Sequence, residues 1–174
     1  MKKKSSPDQR KSHSDEFESI LLDKTDKKIL SLLQENNQLT NLELAALVNL
    51  SPPPCLRRVR RLRESGVITN DVSLVNPFKV KQNLISFVSI YLEKQGEDFL
   101  SNFERKMKEY PEVKQCYFIS GEVDYLLMVH VKDIEAYNTF VRSAFVNSPN
   151  IKSFRSSFCL SRIKYDTSIT MTED

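Results

Sequence analysis

Residues 49–66, NLSPPPCLRRVRRLRESG, leave this chain few ways to fold. Each proline fixes its own φ and lacks a backbone N–H, so three in a row cannot lie inside a helix. They can open one, because the first helical positions have no intrahelical partner for their N–H groups. Ser51 stands where the N-cap of such a helix belongs. A residue that precedes proline resists the α region, so the regular helix is expected to begin at Pro53 or Pro54. At about 100° per residue, Cys55, Leu56, Val59 and Leu62 then cluster on one side. Arg57 and Arg61 fall nearly opposite, Arg58 and Arg60 flank them, and Arg63 lies toward the apolar edge. Gly66 supplies the stop.

Two shorter helical patterns precede this one. LDKTDKKILSLLQENN places Leu22, Ile29, Leu30 and Leu33 on one face and ends at Asn36-Asn37. TNLELAALVN opens with Thr40 three residues ahead of Glu43, the spacing of a capping box. Its apolar set, Leu42, Ala45 and Ala46 with Leu44, Leu47 and Val48, predicts a short helix buried on much of its circumference. Asn49 follows where a tight turn needs a left-handed residue.

Two short helices, a tight turn and a basic helix with an apolar face describe a helix-turn-helix, whose second helix enters the major groove of DNA. A guanidinium can bridge a phosphate, or the O6 and N7 acceptors of guanine. The plain alternative is a solvated basic face. A membrane-surface helix is a further one, but the apolar face is narrow and lacks Trp and Phe. The charge distribution favours an anionic partner: 13 Lys and Arg face 10 Asp and Glu up to Asn76, leaving 13 of each beyond it.

After Gly66, VITNDVSLVNP reads as a strand or short hairpin ending at Pro77, wing and linker together. Beyond it strands and helices alternate. Leu84–Lys94 is a strand, and EDFLSNFERKMKEYP a helix with Phe99, Leu100, Phe103, Met107 and Tyr110 inward. VKQCYFIS and VDYLLMVHV are strands joined by a tight turn at Gly121. A helix capped by Asp133 turns Ile134, Tyr137, Phe140, Val141 and Phe145 inward, and IKSFRSSFCLSRIKY is the last strand. The order βαββαβ is the ferredoxin-like arrangement, with both helices on one sheet face. Yet Tyr125, Leu127 and Val129 alternate with Leu126 and Met128, so the other face is apolar too, and a second copy of the sheet would cover it. The fold class is α+β: a winged helix-turn-helix of three helices plus a β wing, then a ferredoxin-like domain. The expected divisions are a polar tail over 1–19, a DNA-binding domain over 20–70, a linker strand over 71–81, an oligomerisation domain over 82–165, and a C-terminal tail over 166–174.

Several functions find no support. The cysteines Cys55, Cys116 and Cys159 form no CxxC pair and read as reduced, buried thiols, with no metal site. The first sixteen residues after Met1 up to Phe17 hold no apolar stretch for a secretory signal, and no run is long enough to span a membrane. A cytoplasmic protein is expected. Of two histidines, His13 lies in the polar tail and His130 stands alone in an apolar strand, read as packed or at an interface. With no P-loop, GxGxxG or HExxH, no catalytic residue is assigned and no enzyme is expected.

Leu21 to Ile68 is similar to the DNA-binding domain of the leucine-responsive regulatory protein (Lrp/AsnC) family, and SGEVDYLLMV resembles a turn in that family's regulatory domain. The resemblance covers about Leu21 to Lys164. It implies a bacterial or archaeal transcription regulator, without cofactor, that binds pseudo-palindromic double-stranded DNA as a homodimer or a larger assembly, a tetramer or octamer. It implies an amino-acid effector bound where dimers meet. By that similarity Ser51, Pro53, Arg57, Arg58 and Arg61 face DNA, with Arg60 beside them, and Gly121, Glu122 and Asp124 serve the effector response. Phe158 and Cys159 match positions that modulate it. Asn49 stands where glycine is common, Pro53 where a small hydroxyl residue is frequent, Glu122 for aspartate and Val123 for an aromatic. Two alternatives remain: a non-specific nucleoid-type DNA-architectural protein, and a small-molecule-binding oligomer with no specific DNA role.

Overall fold

The structure is a computed structural model, and it describes residues 20–146 and 148–172. The expectations for the tail over 1–19 lie outside the described residues. Among the described residues, 20–72 together with 166–172 form one compact unit, and those within Ser73–Tyr165 form the other.

The first unit holds α1 (Lys24–Glu35), α2 (Asn41–Leu47) and α3 (Pro52–Glu64). Asp23 caps α1 and Thr40 caps α2, each closing a reciprocal capping box with the acid three residues on, Asp26 and Glu43. Asn49 takes φ 56° at the α2–α3 turn, where Leu50 N–H reaches back to the Ala45 carbonyl at 2.9 Å. The core is Ile29 and Leu30 of α1, Leu44, Ala45 and Val48, and Cys55, Val59 and Leu62 of α3. It is narrower than the periodicity suggests. Leu42, Ala46 and Leu47 of α2 and Leu56 of α3 are exposed, because three short helices offer too little surface to cover every apolar position. The segment after Asp166 returns to this unit. Ile169 exchanges two hydrogen bonds with the Gln34 side chain, at 2.6 and 3.1 Å, and Met171 packs on the core.

No strand forms between Gly66 and Gln82, so the expected β wing and linker strand are absent from this stretch. A strand needs a pairing partner, and Val72, Leu74 and Val75 find none and stand exposed. The stretch ends in a turn instead: the Asn76 carboxamide accepts from Phe78 N–H, Gln82 N–H returns to the Pro77 carbonyl, and Lys81 takes φ 58°.

The second unit runs β1 (Leu84–Leu92), α4 (Glu97–Glu109), β2 (Val113–Phe118), β3 (Tyr125–Val131), α5 (Ile134–Val141) and β4 (Ile151–Phe158). The sheet order β2-β3-β1-β4, antiparallel throughout, is the ferredoxin-like one. Register places Val88, Ile90, Leu127 and Val129 on one face, where they meet Phe103 and Met107 of α4 and Tyr137 and Phe140 of α5. Phe99 and Ile134, expected inward, lie at the first turns of their helices and are exposed. A π-helical turn, Arg142–Val146, extends α5. Lys106 of α4 and Tyr110, which caps its end, donate to the Ala144 and Ser143 carbonyls that it redirects, at 2.8 and 2.9 Å. The opposite sheet face carries Phe87, Tyr91, Tyr117, Leu126 and Met128, and no described residue of a helix packs on it. Of the three cysteines only Cys55 is buried; Cys159 is half-buried, and Cys116 is exposed on the edge strand β2.

Candidate DNA-binding surface and effector loop

Helix α3 begins at Pro52, one residue earlier than expected, so its first three positions are all proline. An N-cap side chain normally accepts from the N–H of the second or third helical residue. Neither exists here. Ser51 has the extended backbone of a cap but makes no side-chain cap bond, and the first available N–H, that of Cys55, goes to the Ser51 carbonyl at 3.3 Å. The start of α3 therefore presents no free backbone N–H to an anion, and the exposed Ser51 hydroxyl is left over for another partner. Asn41 of α2 fixes this end by donating to the Pro52 carbonyl at 2.9 Å.

The arginines divide by what they touch. Arg58 reaches Asp23 at 2.6 Å and Asp26 at 2.8 Å through one nitrogen, and Arg61 binds the second oxygen of Asp26. The Asp26 side chain is 1% exposed, against 31% for Arg58 and 49% for Arg61. One buried carboxylate of α1 thus holds two guanidiniums of α3. The hydrogen bond to Asp26, then that to Asp23, raises the affinity of Arg58 for its proton. The Asp26 N–H, followed by the Arg58 side chain, holds the Asp23 carboxyl below its usual range. Arg63 forks onto Asp71 at 3.1 and 3.3 Å and so tethers the chain that leaves the helix. Arg57 and Arg60 are exposed and have no ion pair with any described residue.

By their spacing Pro53, Arg57, Arg60 and Arg61 share the outer face of α3. The structure brings the sequence-derived residues Ser51, Pro53, Arg57 and Arg60 onto one exposed surface, with Arg58 turned toward α1 and Arg61 shared between the two. Asp23 and Asp26 were missed. Their D-x-x-D spacing ahead of the apolar run of α1 is a capping signature of the same kind as Thr40 and Glu43.

In the second unit a six-residue loop, 119–124, joins β2 to β3 in place of a tight two-residue turn. Gly121 takes φ 135° at its exposed tip, a conformation that side chains rarely adopt. Asp124 is engaged within the chain. One oxygen accepts from Leu92 N–H and the other from the Gln95 carboxamide, both at 2.7 Å, and its own N–H donates to the Ile90 carbonyl. The carboxylate pins the loop to the end of β1 by giving the Leu92 N–H a partner and the Gln95 carboxamide another. Glu122 is exposed and bonds to no described residue. Phe158 ends β4 against the Tyr137 ring at 5.0 Å, and Cys159 N–H donates to the Ile85 carbonyl.

The Asp26 clamp makes an asymmetric prediction. Arg58→Ala with Arg61→Ala strands a buried carboxylate and should cost about 3 kcal/mol or more in chemical denaturation. Adding Asp26→Leu should recover most of that loss, since the arginines were half in water already. Asp23 has a depressed folded pKa, so its contribution is present above the ordinary carboxylate pKa and lost as pH falls through the lower folded value. The deficit of Asp23→Ala should accordingly shrink in acid.

Residues 22–69 match a winged helix-turn-helix DNA-binding family, and residues 85–169 match the Lrp/AsnC ligand binding domain. The leucine-responsive regulatory protein of Salmonella typhimurium is 34% identical over 143 residues, 82% of this chain and 87% of the relative. A transcriptional regulator of Neisseria meningitidis, solved as a complex with L-Met, superposes with a TM-score of 0.80 at 38% identity, over 86% of this chain and 96% of the other. An AsnC family regulator of Agrobacterium tumefaciens gives 0.80 at 40% identity, over 85% and 96%. The three-helix unit and the ferredoxin-like unit are thus found together, in this order, in proteins named as regulators. The chain belongs to the Lrp/AsnC family of helix-turn-helix transcriptional regulators.

Proposed function

We propose that this regulator binds pseudo-palindromic double-stranded DNA as a homodimer or larger assembly through the outer face of α3, and that an amino acid at the 119–124 loop adjusts that binding. It acts by binding, not by catalysis, in the bacterial cytoplasm where its DNA lies. The observation that carries the reading is the division of the arginines: Arg57 and Arg60 are exposed and unpaired with any described residue, while Asp26 holds Arg58 and Arg61 in register behind them. Arg57 and Arg60 then contact phosphate or base edges, Ser51 offers its hydroxyl to a phosphate, and Pro53 packs against the backbone without donating. Arg61, half exposed, adds a shared charge to the same surface.

The test is DNA binding across a salt series. Arg57→Ala and Arg60→Ala should each reduce the salt slope by about 0.9 if the lost contact is to a phosphate, or relax sequence preference if it is to a base. Both variants should keep wild-type stability, which separates them from Arg58→Ala. Unchanged binding by the double variant would remove this surface from the reading.

The uncovered sheet face supports the dimer. Phe87, Tyr91, Tyr117, Leu126 and Met128 share this face around Ser89, a cluster of large apolar side chains of a kind that monomers rarely leave in water. A second copy packed sheet to sheet buries it with two-fold symmetry and pairs two α3 helices. Phe87→Lys at the centre of this face should shift the mass in analytical ultracentrifugation toward monomer while preserving the circular dichroism of the fold.

For the effector, Glu122 is the free carboxylate of the loop and Asp124 the one that shapes it. The L-Met complex of the Neisseria relative supports an amino acid as the ligand class. Glu122→Gln should weaken the response of assembly or DNA affinity to amino acids in a screen of all twenty while leaving the loop intact. Asp124→Asn should lower thermal stability as well. A ligand can act only if it binds the two states unequally.

A further inference from the structure

The two edges of the sheet in the second unit are unlike. The edge strand β4 carries Lys152 and Arg155, charges of the kind that keep a sheet edge from pairing with another chain. On the other edge strand, β2, no charge stands between Lys114 and Glu122. Cys116, Tyr117 and Phe118 are all exposed there, Tyr117 at 50% and Phe118 at 62%. The backbone of this edge is open as well. Tyr117 pairs with Leu126, and Ile119 N–H donates to the Asp124 carbonyl, so Tyr117 and Ile119 turn their backbone groups toward β3. Cys116 and Phe118 alternate with them and turn theirs outward, where no described residue answers them. An uncharged strand with apolar side chains and a free row of donors and acceptors is a template for one more strand.

We propose that β2 pairs antiparallel with β2 of a second copy, joining two four-stranded sheets edge to edge. The free backbone groups set the register. Cys116 of each copy exchanges N–H and C=O bonds with Phe118 of the other, which places a two-fold axis at Tyr117. The two Tyr117 residues then stand directly opposite, a non-hydrogen-bonded pair with Cα atoms about 4.5 Å apart. Gln115 of each copy faces Ile119 of the other, and Lys114 faces Ser120, so no charge meets its like. Each Phe118 ring, already 5.1 Å from the Tyr125 ring, gains Cys116 of the other copy as its neighbour. A second copy is the occupant because this register is its own complement under a two-fold axis. The inference deepens one part of the function proposed above, the assembly larger than a dimer. The axis here is perpendicular to the sheet, whereas face-to-face pairing needs an axis parallel to it, so one assembly can hold both.

The test uses the full chain with Cys116→Ser and Cys159→Ser, leaving the buried Cys55. Tyr117→Cys should then form a disulfide-linked pair of chains under mild oxidation, since the expected Cα spacing lies within the roughly 4.4–6.8 Å that a disulfide spans. Gln115→Cys and Ile119→Cys should each stay single alone and link to one another when mixed before oxidation. Proline at an edge position whose N–H points away from the sheet leaves the fold intact and blocks pairing. In the otherwise native chain, Cys116→Pro should therefore halve the largest mass in analytical ultracentrifugation and keep the circular dichroism, while Cys116→Ala keeps both. Phe87→Lys should leave the Tyr117→Cys link in place, which separates failure here from failure of the face-to-face dimer. The proposal is overturned if Tyr117→Cys stays single, as when the edge takes an extended segment of another protein. It is equally overturned if Gln115→Cys links to itself, or if Cys116→Pro leaves the mass unchanged. Loss of the link in Phe87→Lys would overturn it too, by placing Tyr117 across the sheet face instead.

Discussion

Everything the first unit offers to DNA depends on one buried carboxylate. Asp26 sits in the opening turn of α1, accepts from the Asp23 N–H at 3.3 Å, and receives Arg58 and Arg61 from a helix more than thirty positions later. A carboxylate that is 1% exposed is tolerable only when its oxygens are filled by charge-assisted hydrogen bonds. Those bonds fix more than stability. Cys55, Val59 and Leu62 form a narrow apolar stripe, and a stripe so thin leaves the rotation of α3 about its axis loosely set. Two guanidiniums gripping one point on α1 remove that freedom. Arg57 and Arg60, one position before Arg58 and Arg61 respectively, are then turned outward.

The three prolines act on the same helix from its other side. An ordinary helix N-terminus offers several orphan N–H groups and half a positive charge, and so can hold a phosphate through its backbone. Pro52, Pro53 and Pro54 delete those donors while keeping helical φ, so α3 has no orphan N–H to satisfy and no backbone anion site. Recognition of a phosphate near this end must come from side chains. The Ser51 hydroxyl, released from capping, and the Arg57 guanidinium in the second turn are the groups in place. The sequence therefore exchanges a rigid, non-selective anion site for contacts that single substitutions can tune. A chain with Pro53 in place of a hydroxyl residue carries that exchange further than its resemblance alone implies.

What could be read from sequence alone follows the range of the interaction. Asn49 at φ 56°, the Thr40–Glu43 box and the alternation along β1 and β3 are settled by neighbours within a few positions, and each is found as expected. Leu42, Leu47, Leu56, Phe99 and Ile134 were assigned to the core because periodicity shows which face is apolar. It does not show how far the opposing surface extends, and that surface stops short of them. The missing wing has the same origin: β-branched residues favour a strand, but only a partner with free N–H and C=O groups makes one. Arg58 and Arg61 joined the DNA-facing set because basic residues on a helix look alike until the acid opposite is known. That acid was three residues from a recognisable N-cap.

In the second unit the two acids of the 119–124 loop show why position outranks residue type. Asp124 spends both oxygens on β1 and its neighbour Gln95, and Tyr125 beside it is buried with its hydroxyl on Glu104 at 2.8 Å. The base of the loop is consequently held before any ligand arrives, and a ligand at Glu122 would not have to order that part, which lowers the entropic cost of binding. The same strand carries His130 one position before its end, on the face shared with Leu126 and Met128. A group bound at the loop that leads into β3 thus lies at the border of the sheet face that a second copy would cover. Coupling between ligand and assembly then needs no long pathway. It needs only that closing the sheet face change the environment of Glu122, so that the ligand meets two different sites in the two states.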